Sequence, residues 1–385
     1  MLINLIFLFL NYLLLSFSFD LPRIVSRPVD LVILSALSVA LMWILSRSFK
    51  SLWRFIIGVN CLISINAVYL LDIIQPQIGV LYSAVALVAL QFLGLFIAYA
   101  FRTKKPLSNT AKNSLRFLFP FTLPFLAATA LAEFFPNNDW LLLVFLIALF
   151  CFYPRLLCYL WGCRSIPLSS STQNLLKKTK MQNTAFLNWP VFDQSATAAI
   201  VGVFPRFRSI LLTKKLMKCL SEDEIDAVIV HEIGHHKSKH LVFYPVLLIP
   251  LAFLIDLVTL VPYLNENTLF TYPLIVVIIC AYFRIVMGFF TRLFERQADL
   301  YPLKVGLKPE ALQNALKRVA MLSGTPNDKP NWHHYSIQER IDMIERAHLD
   351  TKLILQHDKR SFNSRLIFIL IAVITAFTTY KIIGV

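Results

Sequence analysis

The chain has 385 residues, of which 57% are apolar and 15% charged, and its formal net charge is +15. This composition excludes a simple soluble domain, because apolar runs long enough to cross a bilayer recur along the chain. No nucleic-acid-binding motif accompanies the basic excess, so we expect no nucleic-acid partner and interpret the charge as a signal for membrane topology and anionic lipid.

Nine apolar runs are predicted to span the membrane, so we expect an integral, multi-pass protein whose main surroundings are the lipid bilayer. The first run is predicted to be an anchor rather than a cleaved signal peptide, because no basic residue precedes it. The predicted spans lie near residues 2–19, 29–46, 55–73, 78–101, 117–134, 138–160, 241–262, 271–290 and 364–383.

Lysine and arginine are concentrated in alternate connections between these spans. Segments 47–54 and 102–116 are basic, whereas the connections near 74–77 and 135–137 carry no Lys or Arg. The positive-inside rule therefore predicts that the basic segments face the cytoplasm. Arg23 and Arg27, in the first connection, depart from this alternation.

Counting spans onward from the basic segments gives the side on which the polar part of the chain lies. Residues 161–240 and 291–363 are predicted to share the cytoplasmic face. We expect a bacterial inner membrane, with a eukaryotic organelle membrane as the alternative. The six cysteines are expected to be free thiols, because no CxxC pair occurs and most lie in or beside spans. A metal pair of Cys158 and Cys163 is the less favoured alternative.

The sequence divides into a membrane bundle, a polar domain and a last helix. The predicted segments are 1–162 for the N-terminal bundle, 163–363 for the polar domain, 241–290 for a transmembrane hairpin that interrupts it, and 364–385 for the C-terminal helix. Asp256 and Arg284 lie in the hairpin and are expected to reach their nearer interfaces, with pairing across the hairpin as the alternative.

The polar domain contains short β-like runs followed by helical patterns. Strands are predicted over Ala198–Phe204 and Ser209–Thr213, where β-branched and aliphatic residues cluster before turn residues. Helices are predicted over Pro309–Ser323 and Ile337–Ala347 from the spacing of their apolar residues.

The segment His231-Glu232-Ile233-Gly234-His235 carries the strongest chemical signal. Ser221 and Glu224 fit a capping box, which predicts that a helix begins there. On that helix His231 and His235 lie on one face and can reach a single Zn²⁺ ion. Glu232 then lies beside the metal, where it can accept a proton from a water molecule. The alternative is that His231 and His235 are ordinary polar side chains on a surface helix.

A catalytic zinc site usually has a third protein ligand, and the sequence offers several candidates. His240 follows His235 by five residues, which on a continuous helix directs it away from the metal. Glu295 is favoured, because Asp299 lies on the same helical face and could accept the N–H of a ligating histidine. Because acidic residues four apart are common, the alternative is that Glu295 and Asp299 lie on an ordinary exposed helix face. The candidates are His236, His240, Glu295, His333, His334 and His348.

These motifs together resemble a known family. The HExxH helix, two following spans and the Glu295–Asp299 segment are similar to the membrane zinc metallopeptidases that include CAAX prenyl proteases and HtpX-type heat-shock proteases, metallopeptidase family 48. The stretches 195–240 and 334–341 also match, and the resemblance covers roughly residues 165–350. It implies a mainly α, polytopic membrane protein with an inserted gluzincin-type zinc metallopeptidase domain that contains a small β-sheet.

The resemblance also implies residue roles by position. One Zn²⁺ per chain is bound by His231, His235 and Glu295, while Glu232 is the general base and Asp299 supports a ligand. His334 and Arg340 match residues near the active site, one of which is expected to stabilise the oxyanion. The edge strand that pairs with substrate corresponds to Ala198, Ala199, Ile200, Val201, Gly202 and Val203.

Two departures from the family pattern affect these roles. Thr197 stands where many relatives have asparagine, which puts one contact with substrate in doubt. Tyr335 replaces the usual proline, so the choice between His333 and His334 as the active-site histidine stays open.

The expected function is a membrane-embedded zinc-dependent endopeptidase that uses a metal-activated water. Its expected substrates are membrane or misfolded polypeptides, in protein quality control. The alternatives are a CAAX-type processing protease for prenylated C-terminal tails, and a membrane sensor or scaffold with a vestigial zinc site.

Overall fold

The computed structural model describes residues 4, 7–8, 11, 27–49, 51–103, 109–192, 195–259, 268–323 and 334–383. The chain divides into two compact units, Met1–Phe150 and Cys151–Val385. Of the first predicted span, only Asn4, Phe7, Leu8 and Asn11 lie within the described residues.

Long apolar helices build the first unit. They are α1 (Arg27–Ser48), α2 (Leu52–Thr103) and α3 (Asn109–Phe134), and the next helix, α4 (Asp139–Leu160), begins in this unit and ends in the second. Within α2 the backbone departs from helical geometry at Gly79, with φ 79° and ψ 177°. This break separates the two predicted spans 55–73 and 78–101. Beyond it, the Leu81 N–H donates to Glu133 Oε2 at 2.6 Å, which satisfies a free donor at the new helix start.

Buried amide side chains hold the helices of this unit together. Asn60 donates to Asn4 Oδ1 at 2.8 Å and accepts a hydrogen bond from Gln91 at 2.7 Å. Ser35 in turn donates to Asn66 at 3.0 Å. Such contacts stabilise helix pairs in an apolar environment, where apolar packing by itself gives little driving force.

The second unit contains a three-stranded sheet, which follows the short helix α5 (Ser170–Lys178). Its strands are β1 (Ala185–Asn188), β2 (Ala198–Val201) and β3 (Ser209–Leu212), in the order β1-β3-β2. β1 runs parallel to β3, and β2 pairs antiparallel with β3, with Ile200 opposite Ile210. β2 is therefore an edge strand.

The strand that contains Ala198 is shorter than the sequence predicts. It ends at Val201, because Gly202 adopts φ +83° and turns the chain. A side chain at Gly202 would place its Cβ 2.3 Å from the Phe207 carbonyl oxygen, so only glycine fits there. Gly202 and Val203 therefore lie beyond the strand.

The motif helix forms as predicted. After α6 (Lys214–Cys219), helix α7 covers Glu222–Lys237 with Ser221 as its N-cap, and both hydrogen bonds of the capping box are present. Its apolar face, with Ile229 and Ile233 fully buried, packs against the sheet and against Ala315. Helix α8 (His240–Thr259) follows at an angle of 51° to α7.

The remaining helices complete the second unit. α9 (Thr268–Tyr282) continues through a π-helical turn at Phe283–Met287 into α10 (Gly288–Asp299). The last four helices are α11 (Tyr301–Val305), α12 (Pro309–Ser323), α13 (Ile337–Leu349) and α14 (Lys352–Ile383). α14 is one continuous helix that begins twelve residues before the predicted span at 364.

Six helices in the described part of the chain are long and apolar enough to cross a membrane, or seven if the bent pair α7–α8 counts as one span. The six cysteines, all within the described ranges, are free thiols. Arg284 is exposed. The side chain of Asp256, its alternative partner, lies outside the described residues.

Candidate active site

Three potential metal donors meet between helices α7 and α10. His231 Nε2 and His235 Nε2, one turn apart on α7, are separated by 3.3 Å. From α10, the Glu295 carboxylate lies 3.4 Å from His235 Nε2 and 3.9 Å from His231 Nε2. The cluster is largely shielded from solvent, since His231 is 7% and Glu295 9% exposed.

The geometry and chemistry of this cluster fit a catalytic zinc ion. Zinc–nitrogen bonds of about 2.0–2.1 Å in a tetrahedron place neighbouring ligand atoms about 3.3 Å apart. The separations of 3.3 and 3.4 Å match this spacing, and the 3.9 Å between His231 Nε2 and Glu295 Oε2 is somewhat longer. Two histidines and a glutamate are a donor set used by catalytic zinc sites that leave one position open. The three residues could therefore hold one zinc ion.

Asp299 and Arg340 surround the metal donors with charge. Asp299 Oδ1 lies 3.1 Å from His231 Nδ1, on the opposite side of the ring from the cluster. Arg340 donates to both Asp299 oxygens, at 2.8 and 2.6 Å, and its Nη2 also lies 3.5 Å from Glu295 Oε2. Burial lowers the pKa of the Arg340 guanidinium, but the charge and hydrogen bonds of Asp299, together with the charges of Glu295 and Glu232, outweigh burial and raise that pKa. Arg340 is therefore a permanent cation beside two buried carboxylates.

The start of helix α13 brings His334 and Arg340 to the site. Ser336 caps this helix, and its backbone N–H donates to the Glu339 carboxylate at 2.8 Å. His334, just before the cap, places Nδ1 3.2 Å from Glu295 Oε2 and is about one third exposed. His333 lies outside the described residues. His348, at the other end of α13, is exposed and far along the helix from the cluster.

Glu232 connects the motif helix to the edge strand. The Ile200 backbone N–H, which points away from β3, donates to Glu232 Oε2 at 3.0 Å. Thr197, just before β2, is held by Thr213, whose hydroxyl accepts from the Thr197 N–H at 3.1 Å. The structure thus brings the residue predicted as the general base to the strand predicted to bind substrate.

A cavity of about 370 Å³ opens beside the cluster. Its polar lining includes His231, Glu232, Glu295, His334 and Arg340. Its apolar lining includes Leu216, Val228, Leu312, Ala315, Leu316 and Val319. The arrangement can accept a chain segment that presents an apolar side chain next to the reactive groups.

His240 differs from its prediction as a polar residue directed away from the site. It is fully buried, and its Nδ1 lies 3.0 Å from His235 Nδ1. The reason is that α7 ends at Lys237 and Lys239 adopts φ +58°, so the angular offset of a continuous helix does not apply. His236, the other neighbour, lies apart from the cluster and contacts Arg208 at 2.7 Å. The sequence gives no indication that Lys239 adopts a positive φ, so the end of the helix could not be predicted there.

Comparison with known proteins finds peptidases that are similar to the part of the chain that contains this cluster. The model of peptidase family M48 matches residues 167–348. A CAAX prenyl protease 1 homolog of Oryza sativa subsp. japonica is 30% identical over 174 residues, which cover 40% of this chain and 40% of the relative. One from Arabidopsis thaliana is 29% identical over 171 residues, covering 39% and 40%. The match thus spans about two fifths of the length of either relative.

Similarity of fold extends further than similarity of sequence. The crystal structure of S. mikatae Ste24p matches with a TM-score of 0.54 and 16% identity, over 88% of this chain and 95% of that one. At this identity the likeness shows the fold alone. The mainly helical architecture with a small mixed sheet is thereby confirmed. The chain is a multi-span membrane protein whose residues 167–348 match the model of peptidase family M48.

Proposed function

We propose that this protein is a zinc-dependent endopeptidase of the membrane that hydrolyses peptide bonds in polypeptide substrates. The observation that carries the proposal is the convergence of His231, His235 and Glu295, whose donor atoms lie within 4.8 Å of one another. The position of Glu232, between this cluster and the edge of β2, supports it further.

His231, His235 and Glu295 would hold one zinc ion per chain. Such an ion supplies a Lewis acid that lowers the pKa of a water molecule and polarises a carbonyl group. Glu232 accepts the proton of the attacking water and passes it to the leaving amine. Asp299 Oδ1, 3.1 Å from His231 Nδ1, would accept the Nδ1–H of that ring and leave its Nε2 lone pair for the metal.

His334 is the better donor for the developing oxyanion. The Arg340 fork is already occupied by Asp299, and its charge is shared with Glu295. His334 is more exposed and lines the cavity, so it can contact substrate. Arg340 then acts by holding the two carboxylates in place.

An extended substrate would pair with the outer edge of β2. Ala198, Ala199, Ile200 and Val201 form this edge, and backbone hydrogen bonds to it would give affinity with little sequence preference. The Ile200 N–H donates to Glu232. It would become available to a substrate carbonyl once the Glu232 carboxylate accepts the proton of the attacking water. Gly202 and Val203 lie past the turn and are not included in this pairing surface.

Two substrate classes follow from different observations. Loose pairing along an edge strand favours damaged membrane proteins or misfolded polypeptides, in quality control. The curated relatives are named as CAAX prenyl protease 1 homologs, which favours prenylated C-terminal tails as the second candidate. Cleavage of a misfolded membrane protein compared with a farnesylated peptide of the same length distinguishes the two.

The basic segments 47–54 and 102–116 support a site on the cytoplasmic face, and the bacterial inner membrane stays a prediction.

The decisive experiment is Glu232→Gln in the detergent-purified full-length chain. We expect the wild type to bind one zinc per chain and to cleave an unfolded fluorogenic protein, with loss of cleavage on chelation and recovery on adding zinc. Glu232→Gln should keep the zinc and lose about 10²–10⁴-fold in turnover.

Glu222→Gln is the matched control, because Glu222 is exposed in the first turn of the same helix. We expect normal turnover from it. Zinc-free wild-type protein, or undiminished cleavage by Glu232→Gln, would contradict the proposed function.

A further inference from the structure

A chain of polar side chains runs from His235 to the C-terminal helix α14. His240 contacts His235 through Nδ1 and Gln297 through Nε2, both at 3.0 Å. Gln297 in turn contacts three residues of α14, which are Asp358, Ser361 and Arg365. None of these residues beyond His235 has a role in the chemistry described above.

The orientation of the Gln297 amide follows from its partners on α14. Arg365 Nη2 lies 3.1 Å from Gln297 Oε1, and a guanidinium can only donate hydrogen bonds. On its other side, Gln297 Nε2 lies 2.7 Å from Asp358 Oδ1, and a carboxylate can only accept. Both contacts therefore require the oxygen to face Arg365 and the nitrogen to face Asp358.

The protonated nitrogen of His240 follows from the amide. His240 Nε2 faces the Gln297 oxygen at 3.0 Å, so this nitrogen carries the proton. His240 is fully buried and shares the Gln297 oxygen with the Arg365 guanidinium, so a second ring proton would place one buried cation beside another, and we therefore assign Nδ1 as an acceptor.

The same reasoning fixes the tautomer of His235. Its Nδ1 lies 3.0 Å from the acceptor Nδ1 of His240, so His235 Nδ1 carries the proton. Its Nε2 then has a free lone pair, and this is the atom that faces His231 and Glu295. Proton positions along the chain are thus determined from α14 inward to the metal cluster.

We propose that His240 is a positioning residue that, together with Gln297, holds His235 in the tautomer required to bind the metal. The proposal rests on the proposed function, since it takes His235 as a zinc ligand. It extends that function by making a residue outside the HExxH motif, and the helix α14 behind it, part of the metal site. Hydrogen-bond partners of ligating histidines typically contribute about 10–100-fold to metal affinity.

Two substitutions at His240 separate hydrogen bonding from packing. His240 stacks on Phe294 with ring centroids 4.2 Å apart and an angle of 9°. His240→Phe keeps an aromatic ring for this stack and removes the acceptor. His240→Asn loses the ring and can keep an acceptor oxygen close to the position of Nδ1.

The test measures zinc affinity of the full-length chain in detergent, by competition with a fluorescent chelator. Visible spectra of the cobalt-substituted proteins report the ligand set. We expect His240→Phe to bind zinc about 10–100-fold more weakly with an altered cobalt spectrum. His240→Asn should stay close to the wild type in both measurements. Thermal unfolding of the zinc-free proteins checks that each variant is folded.

The outcomes distinguish the two levels of the proposal. Suppose that the wild type binds zinc tightly. The role of His240 would then be overturned if His240→Phe bound zinc equally tightly, or if His240→Asn bound it as weakly as His240→Phe. Either result would leave the proposed function intact. A wild type that binds no zinc would overturn both. Should His240→Phe fail to fold, Gln297→Leu decides instead, because it removes the acceptor of the His240 Nε2–H. About tenfold weaker zinc binding is then expected, and unchanged binding would overturn the inference.

Discussion

Two buried carboxylates lie one helical turn apart beside the metal donors, and the positive charge of Arg340 offsets their repulsion. Glu295 and Asp299 are 9% and 2% exposed, and their charges would repel each other in a medium of low dielectric constant. Arg340 contacts both of them. At the scale of single residues, the site is therefore a balance of charges as much as a set of metal donors.

Replacing Arg340 tests this balance. Arg340→Met keeps most of the side-chain length and removes the charge, so the buried Asp299 loses its arginine partner, at a cost of about 3–5 kcal/mol in the free energy of unfolding. Arg340→Lys keeps the charge without the two-pronged contact and should cost less. Unfolding of the zinc-free proteins measures both effects. Equal stability of the two variants would show that the charge of Arg340 is not what stabilises the pair.

Helix α7 approaches the α10–α11 segment so closely that the residue at position 234 must be small. A Cβ added at Gly234 would lie 2.8 Å from Tyr301 Cβ and 3.1 Å from Ala298 Cα. Glu295 lies one turn before Ala298 on α10. The close contact of these two elements is therefore what brings Glu295 to the histidines of α7.

At the scale of these elements, Gly234→Ala is expected to separate the helices. Overpacking of this kind costs about 1–3 kcal/mol in the free energy of unfolding. The displacement of Glu295 should weaken zinc binding as well, although no ligand is changed. Zinc affinity and thermal unfolding of the variant test both effects, and Lys237→Ala at the exposed end of α7 serves as control. Unchanged zinc affinity would mean that α10 is positioned by other contacts.

The whole molecule combines a domain that matches peptidase family M48 with helices that can span a membrane, and its orientation is predicted from charge. Asn137 is exposed in the short connection between α3 and α4, and Asp223 is exposed at the start of α7. If α4 spans the bilayer, these residues lie on opposite sides of it. The positive-inside rule predicts that Asp223 lies on the cytoplasmic side.

Cysteine labelling tests this orientation at the scale of the whole molecule. In a background without the six native cysteines, Asn137→Cys and Asp223→Cys are exposed to a membrane-impermeant maleimide in sealed vesicles. Right-side-out vesicles should label only the cysteine at 137, and inverted vesicles only the cysteine at 223. Labelling of both positions from one side would contradict the predicted span at 138–160.

Features that depend on near neighbours in the chain could be predicted from the sequence. The capping box at Ser221, the shared face of His231 and His235, and most apolar spans follow from helix geometry, which repeats at fixed intervals. Glu295 and Asp299 were also assigned to one helical face by their spacing. Their role beside the histidines, however, rested on the family resemblance, because spacing on one helix cannot specify contact with another.

The sequence by itself thus determined which helices form and which side chains share a helical face. Only the tertiary structure decided which faces meet. It showed Arg340 between two carboxylates, strand β1 beside β3, and Glu232 at the edge of β2. It also placed the buried His240 ring against His235 Nδ1, because Lys239 interrupts the helix with a positive φ. Helical periodicity is a local property of the backbone, whereas breaks in a helix and contacts between distant segments depend on packing of the whole domain.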